Sequence, residues 1–258
     1  MAELPRLRRD MVKEKPQMPL PVFRALSEWL YPPRCCACGA FTRDVFCEKC
    51  EKSIRYLDGS ICPMCGRELP PGAGQAGSCR MCESFKYNFD TCRSALSYEG
   101  AMEKVLIKFK FRRRAIFRGI LLSAMLKHMN NHPEMFAHFD VLDFIVPVPL
   151  HPLKQVQRGF NQSELLAAGV ARELGRPVRH ALWRVRRRRP QAKMGWKERV
   201  KNVSGAFAAR GKKVEGKRVL LIDDMITTGA TASECARVLK EAGAAEVHVF
   251  TLARRVWQ

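Results

Sequence analysis

Four cysteine pairs at C-x-x-C spacing, Cys35/Cys38, Cys47/Cys50, Cys62/Cys65 and Cys79/Cys82, crowd into 48 residues of a 258-residue chain. Nothing else in the sequence limits the fold so tightly. Two thiolates three positions apart sit on one side of a tetrahedral ion, and two such knuckles complete a four-thiolate site. Two of the pairs are followed by glycine, in "CCACG" and "CPMCG". The segment has too few large apolar residues to bury a core, so metal binding has to supply its folding energy. Two structural Zn²⁺ are predicted. Sequential pairing gives Cys35/Cys38/Cys47/Cys50 and Cys62/Cys65/Cys79/Cys82, with cross-pairing between knuckles as the alternative. Cys36 adjoins a ligand and competes for it, whereas Cys92 and Cys235 read as small buried hydrophobes. Disulfides are the rival chemistry, disfavoured in the reducing cytoplasm.

A cytoplasmic location is itself an expectation from the sequence. The start, "MAELPRLRRDMVKEKPQMP", is charged and broken by prolines, unlike a secretory leader. No run of eighteen apolar residues offers a membrane span. Residues 1–21 read as disordered. Val22, Phe23, Leu26, Trp29 and Leu30 keep helical spacing, which predicts a short helix leading into the cysteine-rich part.

A second constraint lies near the other end, in "LLIDDMITTGAT" (220–231). Four apolar residues, Val219 to Ile222, read as a strand covered on both faces, as in a parallel sheet. Ala, Cys, Val and Leu at helical spacing from Ala230 to Ala242 predict a helix, so the turn joins strand to helix. Ligands of open α/β sheets bind at that end of the strands. Thr227, Thr228, Gly229, Ala230 and Thr231 offer unpaired N–H groups and hydroxyls to a phosphate. Asp223 and Asp224 would repel the phosphate and suit hydroxyl groups or a metal instead. Phosphate at one end and vicinal hydroxyls nearby describe a ribose 5-phosphate. An acidic N-cap cluster before an ordinary turn is the plainer alternative. The stretch resembles the 5-phosphoribosyl-1-pyrophosphate (PRPP) signature of type I phosphoribosyltransferases. That resemblance implies that Asp223 and Asp224, the catalytic pair, hold the ribose 2- and 3-hydroxyls, and that residues 227–231 wrap the 5-phosphate.

The formal net charge of +21 is unevenly placed. Residues 104–118 carry seven Lys/Arg and no acid, and residues 184–201 carry nine Lys/Arg and one Glu. Polyanions are the natural partners of such a surface, with a merely solvated basic face as the alternative. Phe109 and Phe111 interleave with the first tract, and Trp183 and Trp196 flank or sit within the second.

From Arg93 the chain alternates strand and helix patterns: a strand in "RSALSYEG", helices over 101–110 and 116–131, a strand over 141–150, a helix over 162–174, a basic loop, a short strand "GAFAA", the signature strand with its helix, and a last strand "AEVHVFTLAR". This is a doubly wound α/β pattern. "PVPLHPLKQVQRGFNQSELLA" (147–167), "RPQAKM…ERVKNVSGAF" (189–207), "SYEG…VLIKFKF" (97–111) and the cysteine knuckles together resemble the ComF family. The resemblance spans about residues 22–253. It implies a double zinc ribbon with its leading helix over 22–90, then a phosphoribosyltransferase-type domain with a doubly wound parallel sheet over 91–258. It also implies a competence protein that handles incoming single-stranded DNA, working beside a partner from the competence machinery. Two departures make the mobile loop more basic than usual: Arg188 where the family tends to have Thr, and Lys193-Met194 where Gly-Leu often follows the loop glutamine, Gln191.

Phosphoribosyl transfer builds positive charge on the ribose and negative charge on pyrophosphate, so cations and a water-excluding loop are needed. Lys154, Arg158 and the backbone at Gly159 follow a strand end, where pyrophosphate contacts belong, with Mg²⁺ expected to accompany PRPP. Arg188, Gln191, Lys193 and Arg199 are the mobile-loop candidates. Asn161 reads as a helix N-cap and His151 as a loop residue. No element that would recognise a nucleobase is legible. Three readings follow: a DNA-handling competence protein whose PRPP site binds PRPP or a related phosphorylated nucleotide, an active transferase with an unidentified acceptor, and a scaffold that docks partners through its ribbons.

Overall fold

The computed structural model describes residues 32–70, 79–111, 115–186, 203–211 and 214–256. The expected disordered segment and leading helix (1–21, 22–30), and the loop residues Arg188, Gln191, Lys193 and Arg199, lie outside these residues.

Two single-turn helices, α1 (Glu48–Glu51) and α2 (Arg80–Ser84), open directly after the knuckle cysteines Cys47 and Cys79. There follow β1 (Thr91–Ser97), α3 (Gly100–Phe111), α4 (Ala115–Asn131), a 3₁₀ stretch (Pro133–Val141), β2 (Phe144–Pro147), α5 (Pro152–Arg158), α6 (Gln162–Leu174), β3 (Leu182–Arg184), β4 (Phe207–Ala209), β5 (Arg218–Ile226), α7 (Ala230–Glu241) and β6 (Glu246–Arg254). Four strands form one sheet in the order β1-β6-β5-β2, and every pairing in it is parallel.

Burial explains the uninterrupted apolar run of β5. Leu220 and Ile222 join a core with Leu106 of α3, Leu121 of α4 and Leu166 of α6. Val219 and Leu221 face the other way, onto Cys235, Ala236 and Leu239 of α7. A strand clothed on both faces has no polar side to display. Cys92 and Cys235 are fully buried, as small hydrophobes should be.

Three local features differ from the expected pattern. The strand expected over 141–150 is confined to Phe144–Pro147, because Val141 closes the 3₁₀ stretch and Asp143 is occupied by the Arg218 N–H and Lys217 ammonium. Pro147 and Pro149 have no N–H to extend the ladder. Residues 152–158, to which no expected element was assigned, form α5. Pro152 suits a first helical turn, the His151 ring accepts the Leu153 N–H at 3.3 Å, and Gly159 ends the helix at φ 81°. Finally, "GAFAA" contributes β4 to a separate two-stranded antiparallel sheet with β3, a strand that lies within the expected basic loop.

The cysteine-rich part is sewn to the sheet. Residues 55–57 run antiparallel to β1, with Leu57 N–H donating to Ala95 O at 3.1 Å and Ser97 N–H to Arg55 O at 2.8 Å. That covers an edge otherwise open to a foreign strand. At the third knuckle, Cys92 N–H donates to Met64 O at 2.7 Å. Gly66, at φ 67°, lies so near Cys92 O that an added Cβ would sit 2.3 Å from it. The buried Arg93 donates to Pro63 O at 2.8 Å, and Arg254 donates to Cys65 O.

Candidate functional site

The eight predicted ligand cysteines separate into two groups, Cys35/Cys38/Cys47/Cys50 and Cys62/Cys65/Cys79/Cys82, with all sulfurs in a group within 4.8 Å of one another. Sequential pairing is therefore the arrangement present. The Sγ–Sγ separations are 3.6 Å for Cys38–Cys47, 3.7 Å for Cys62–Cys82 and 3.5 Å for Cys65–Cys79. A tetrahedral zinc with Zn–S of about 2.3 Å spaces its ligands by about 3.8 Å. A disulfide would need about 2.05 Å. The donor set fits two structural zinc ions. Cys36 stands outside the first group. Burial pushes the Cys50 and Cys65 thiols up to about 12. At Cys35 and Cys62 burial also acts upward, but knuckle N–H groups aimed at the sulfurs prevail and bring them down to about 6 and about 7. A bound cation takes the place of the protons that such crowded thiols would otherwise keep.

At the carboxyl edge of the sheet the ends of β2 and β5 open onto a cavity of about 530 Å³. Asp223, Asp224 and residues 227–231 border it on one side, with Lys154 and Arg158 from α5 also lining it. Gly159 is not among the lining residues; its left-handed conformation serves to end α5. Asn161 caps α6 as expected, accepting the Ser163 N–H at 3.2 Å while donating to Val148 O at 3.0 Å.

The acid pair is asymmetric. The Asp223 carboxylate accepts from Ser163 Oγ at 2.8 Å and from the Asp224 N–H at 2.9 Å. Burial, followed by repulsion from Asp224, nevertheless raises its pKa to about 7. Asp224 instead pairs with Lys110 at 3.0 Å. Burial alone would lower the Lys110 pKa, but the Asp224 charge and hydrogen bond outweigh it and raise it. The pair thus offers acceptors to vicinal hydroxyls while part of its charge is already balanced.

Two models of known families match the chain in the same order as the geometry: a double zinc ribbon domain over residues 26–83 and a phosphoribosyl transferase domain over 161–256. Competence protein ComFC of Bacillus subtilis (strain 168) is 35% identical over 216 residues, covering 81% of this chain and 83% of that one. The chain belongs to the ComF family. Competence protein F of Haemophilus influenzae (strain KW20) is 30% identical over 235 residues, covering 86% of this chain and 96% of the relative. DNA utilization protein YhgH of Escherichia coli (strain K12) is 29% identical over 214 residues, covering 81% and 89%.

In this ComF-family protein the cavity also recruits residues that the motifs did not announce. Lys110 reaches it from α3, Ser163 from the first turn of α6, and Arg184 from β3. Gln162, buried at the wall, accepts from Arg158 at 3.2 Å and leaves its Nε2 without a partner among the described residues. Lys110 had a legible signal in principle. In "IKFKF" the buried Phe109 fixes which way α3 faces, and its neighbours then point apart. Lys108 donates at 2.8 Å to both Cys36 O and Ala37 O of the first knuckle, while Lys110 enters the cavity. Both lysines are therefore engaged within the protein, which removes them from the basic tract expected to face a polyanion. Ser163 and Tyr87, which meets Thr228, carry no pattern of their own and become visible only when the chain folds. Among the described residues no helix is long and apolar enough to cross a membrane.

Proposed function

We propose that this protein binds PRPP, or a related phosphorylated nucleotide, and handles incoming single-stranded DNA for the competence machinery in the cytoplasm. The observation that carries the reading is one cavity lined by the Asp223-Asp224 pair, the Thr227–Thr231 turn, and the cations Lys154 and Arg158. The carboxylates accept the ribose 2- and 3-hydroxyls, and the turn's N–H groups and hydroxyls receive the 5-phosphate. Lys154 and Arg158 neutralise pyrophosphate, and Arg188, Gln191, Lys193 and Arg199, outside the described residues, are the candidates for closing over it. Mg²⁺, when bound with PRPP, supplies charge neutralisation at the pyrophosphate. The division of labour follows a boundary near residues 90 and 91, with the zinc ribbons before it and the ligand site after it. Names of the relatives, competence and DNA utilization proteins, support the DNA role.

A second reading, transfer of the phosphoribosyl group to an acceptor, draws on Lys154 and Arg158 sharing the cavity with the acid pair, as a departing pyrophosphate requires. Thermal shifts measured against PRPP, nucleotides and single-stranded DNA, each with and without Mg²⁺, test the first reading. Binding is expected to raise the melting temperature with PRPP plus Mg²⁺ and with DNA. No shift with any phosphorylated ribose would overturn the assignment of the cavity.

A further inference from the structure

The segment between the second ribbon and β1 does more than connect them. Tyr87 donates its hydroxyl to Thr228 O at 2.8 Å, across 141 residues of sequence. Its ring forms the wall against Gly229, where an added Cβ would lie 2.8 Å from a ring carbon. Next to it, the Asn88 N–H and side-chain Nδ2 each reach Ser233 Oγ at 3.0 Å, gripping the first turn of α7. The other side of Tyr87 belongs to the second cysteine site. Phe85 meets it edge-on at 4.8 Å and Phe89 stacks on it at 4.7 Å. Tyr87 and Phe89 share a core with Cys62, Cys65 and Cys79, and Cys82 and Phe85 pack against that core. Burial raises the Tyr87 pKa, so the hydroxyl keeps its proton and remains a donor.

We propose that Tyr87 is a positioning residue for the phosphate turn, transmitting the order of the second cysteine site to Thr228 and Gly229. A carbonyl held by Tyr87 fixes the peptide between Thr228 and Gly229, and with it the N–H groups that a 5-phosphate meets. A ring against Gly229 leaves that turn one packing arrangement. When the second site loses its metal, the aromatic stack loses its support and the turn is released. By reciprocity, a ligand that orders the turn tightens the hold on that metal by the same factor.

The inference rests on the PRPP reading of the cavity, and its test separates the two. Tyr87→Phe retains the ring and removes the hydroxyl. In full-length, zinc-loaded protein, hydrogen exchange at residues 227–231 should quicken in the variant without ligand, while β1 and β6 stay protected. Calorimetry should show PRPP binding weakened about three- to tenfold, the range expected for one hydrogen bond. Inorganic pyrophosphate, held from the Lys154 and Arg158 side, should bind unchanged; a general loss of structure would weaken both. PRPP should also slow the removal of one zinc equivalent by a chelator in the wild type and do so less in Tyr87→Phe. Unchanged exchange at 227–231 together with unchanged PRPP affinity overturns the inference. Wild-type protein that fails to bind PRPP sinks the cavity assignment instead, and the exchange comparison still decides whether Tyr87 orders the turn.

Discussion

The two cysteine sites share a motif and differ in their surroundings. In the first, Cys38 is exposed and Cys47 half-buried, while Cys35 and Cys50 are buried in a core with α3, α4 and the sheet; Lys108 on the Cys36 and Ala37 carbonyls and Ser53 at the Ala101 N–H add polar links. In the second, Cys62, Cys65 and Cys79 are buried in a common core with β2, β5, β6 and α7, and two buried arginines hold the knuckle carbonyls. Both sites therefore reach into the packing of the sheet, the first with two of its four thiolates and the second with three. Ligand spacing determines that a metal site forms. What surrounds the knuckles determines how far its loss is felt.

The largest effect should come from breaking the second site. Cys79→Ser with Cys82→Ser removes half of that ligand set beneath the aromatic stack, and should lower the melting temperature of the whole chain by roughly 10 °C, the shift expected for about 3–4 kcal/mol in a domain of this size. Cys38→Ser with Cys47→Ser, at an exposed and a half-buried position of a site that gives only two thiolates to the core, should cost less. Metal analysis should fall from about two zinc per chain to about one in either variant. Equal melting temperatures for the two variants would dissolve the distinction between the sites.

A smaller effect tests the link from the first site to the cavity through α3. Lys110→Met leaves Asp224 without its partner in a largely buried setting and should cost about 2–4 kcal/mol, read by urea unfolding. Lys108→Met, which loses only hydrogen bonds to two carbonyls, should cost about 1–2 kcal/mol. A reversed order would mean that Lys110 is not needed to balance the acid pair.

The acid pair also predicts a pH dependence. The Asp223 pKa is raised from 3.8 to about 7 on folding, so between those values the folded chain holds a proton that the unfolded chain has released. The stability this proton contributes is complete below the unfolded value and is lost as pH rises through about 7. Asp223→Asn should flatten that part of the melting-temperature profile relative to wild type. Parallel profiles would place the carboxyl in a more solvated setting than burial implies.

The smallest effect concerns DNA. If the second basic tract follows a phosphate backbone, the logarithm of affinity for a single-stranded oligonucleotide should fall with the logarithm of salt by about 0.7 per contacted phosphate. Changing Arg186 through Arg189 to Ser should reduce the slope in fluorescence anisotropy, whereas Lys108→Ser should not, since that ammonium is bound within the protein. A slope unaffected by the arginine changes would assign the tract to pyrophosphate or solvent.

Patterns with a fixed local geometry were legible in the sequence. Cysteine knuckles, the doubly covered β5 and the Asn161 cap each depend on neighbours a few positions away, so periodicity and spacing report them. The cavity residues Lys110 and Ser163, and Tyr87 behind the turn, did not show. Lys110 and Ser163 are ordinary helix residues and Tyr87 lies between α2 and β1; sheet order and helix packing bring them to the acid pair or the turn. α5 has too few residues between Pro152, which starts it, and Gly159, which stops it, for a helical period to show in the sequence. β3 was hidden for another reason. Basic residues dominate its surroundings, and its pairing with β4 lies more than twenty residues away in sequence.

The central claim is that Asp223 and Asp224 hold the ribose of a phosphorylated ligand at the carboxyl edge of the sheet. Titration calorimetry of PRPP with Mg²⁺ into wild type and into Asp223→Ala/Asp224→Ala protein tests it most directly. The wild type should bind saturably. The double variant, with its strand and both zinc sites retained, should lose at least about tenfold in affinity through missing charge-assisted hydrogen bonds. Equal affinity in both proteins would contradict the account and make the two carboxylates structural.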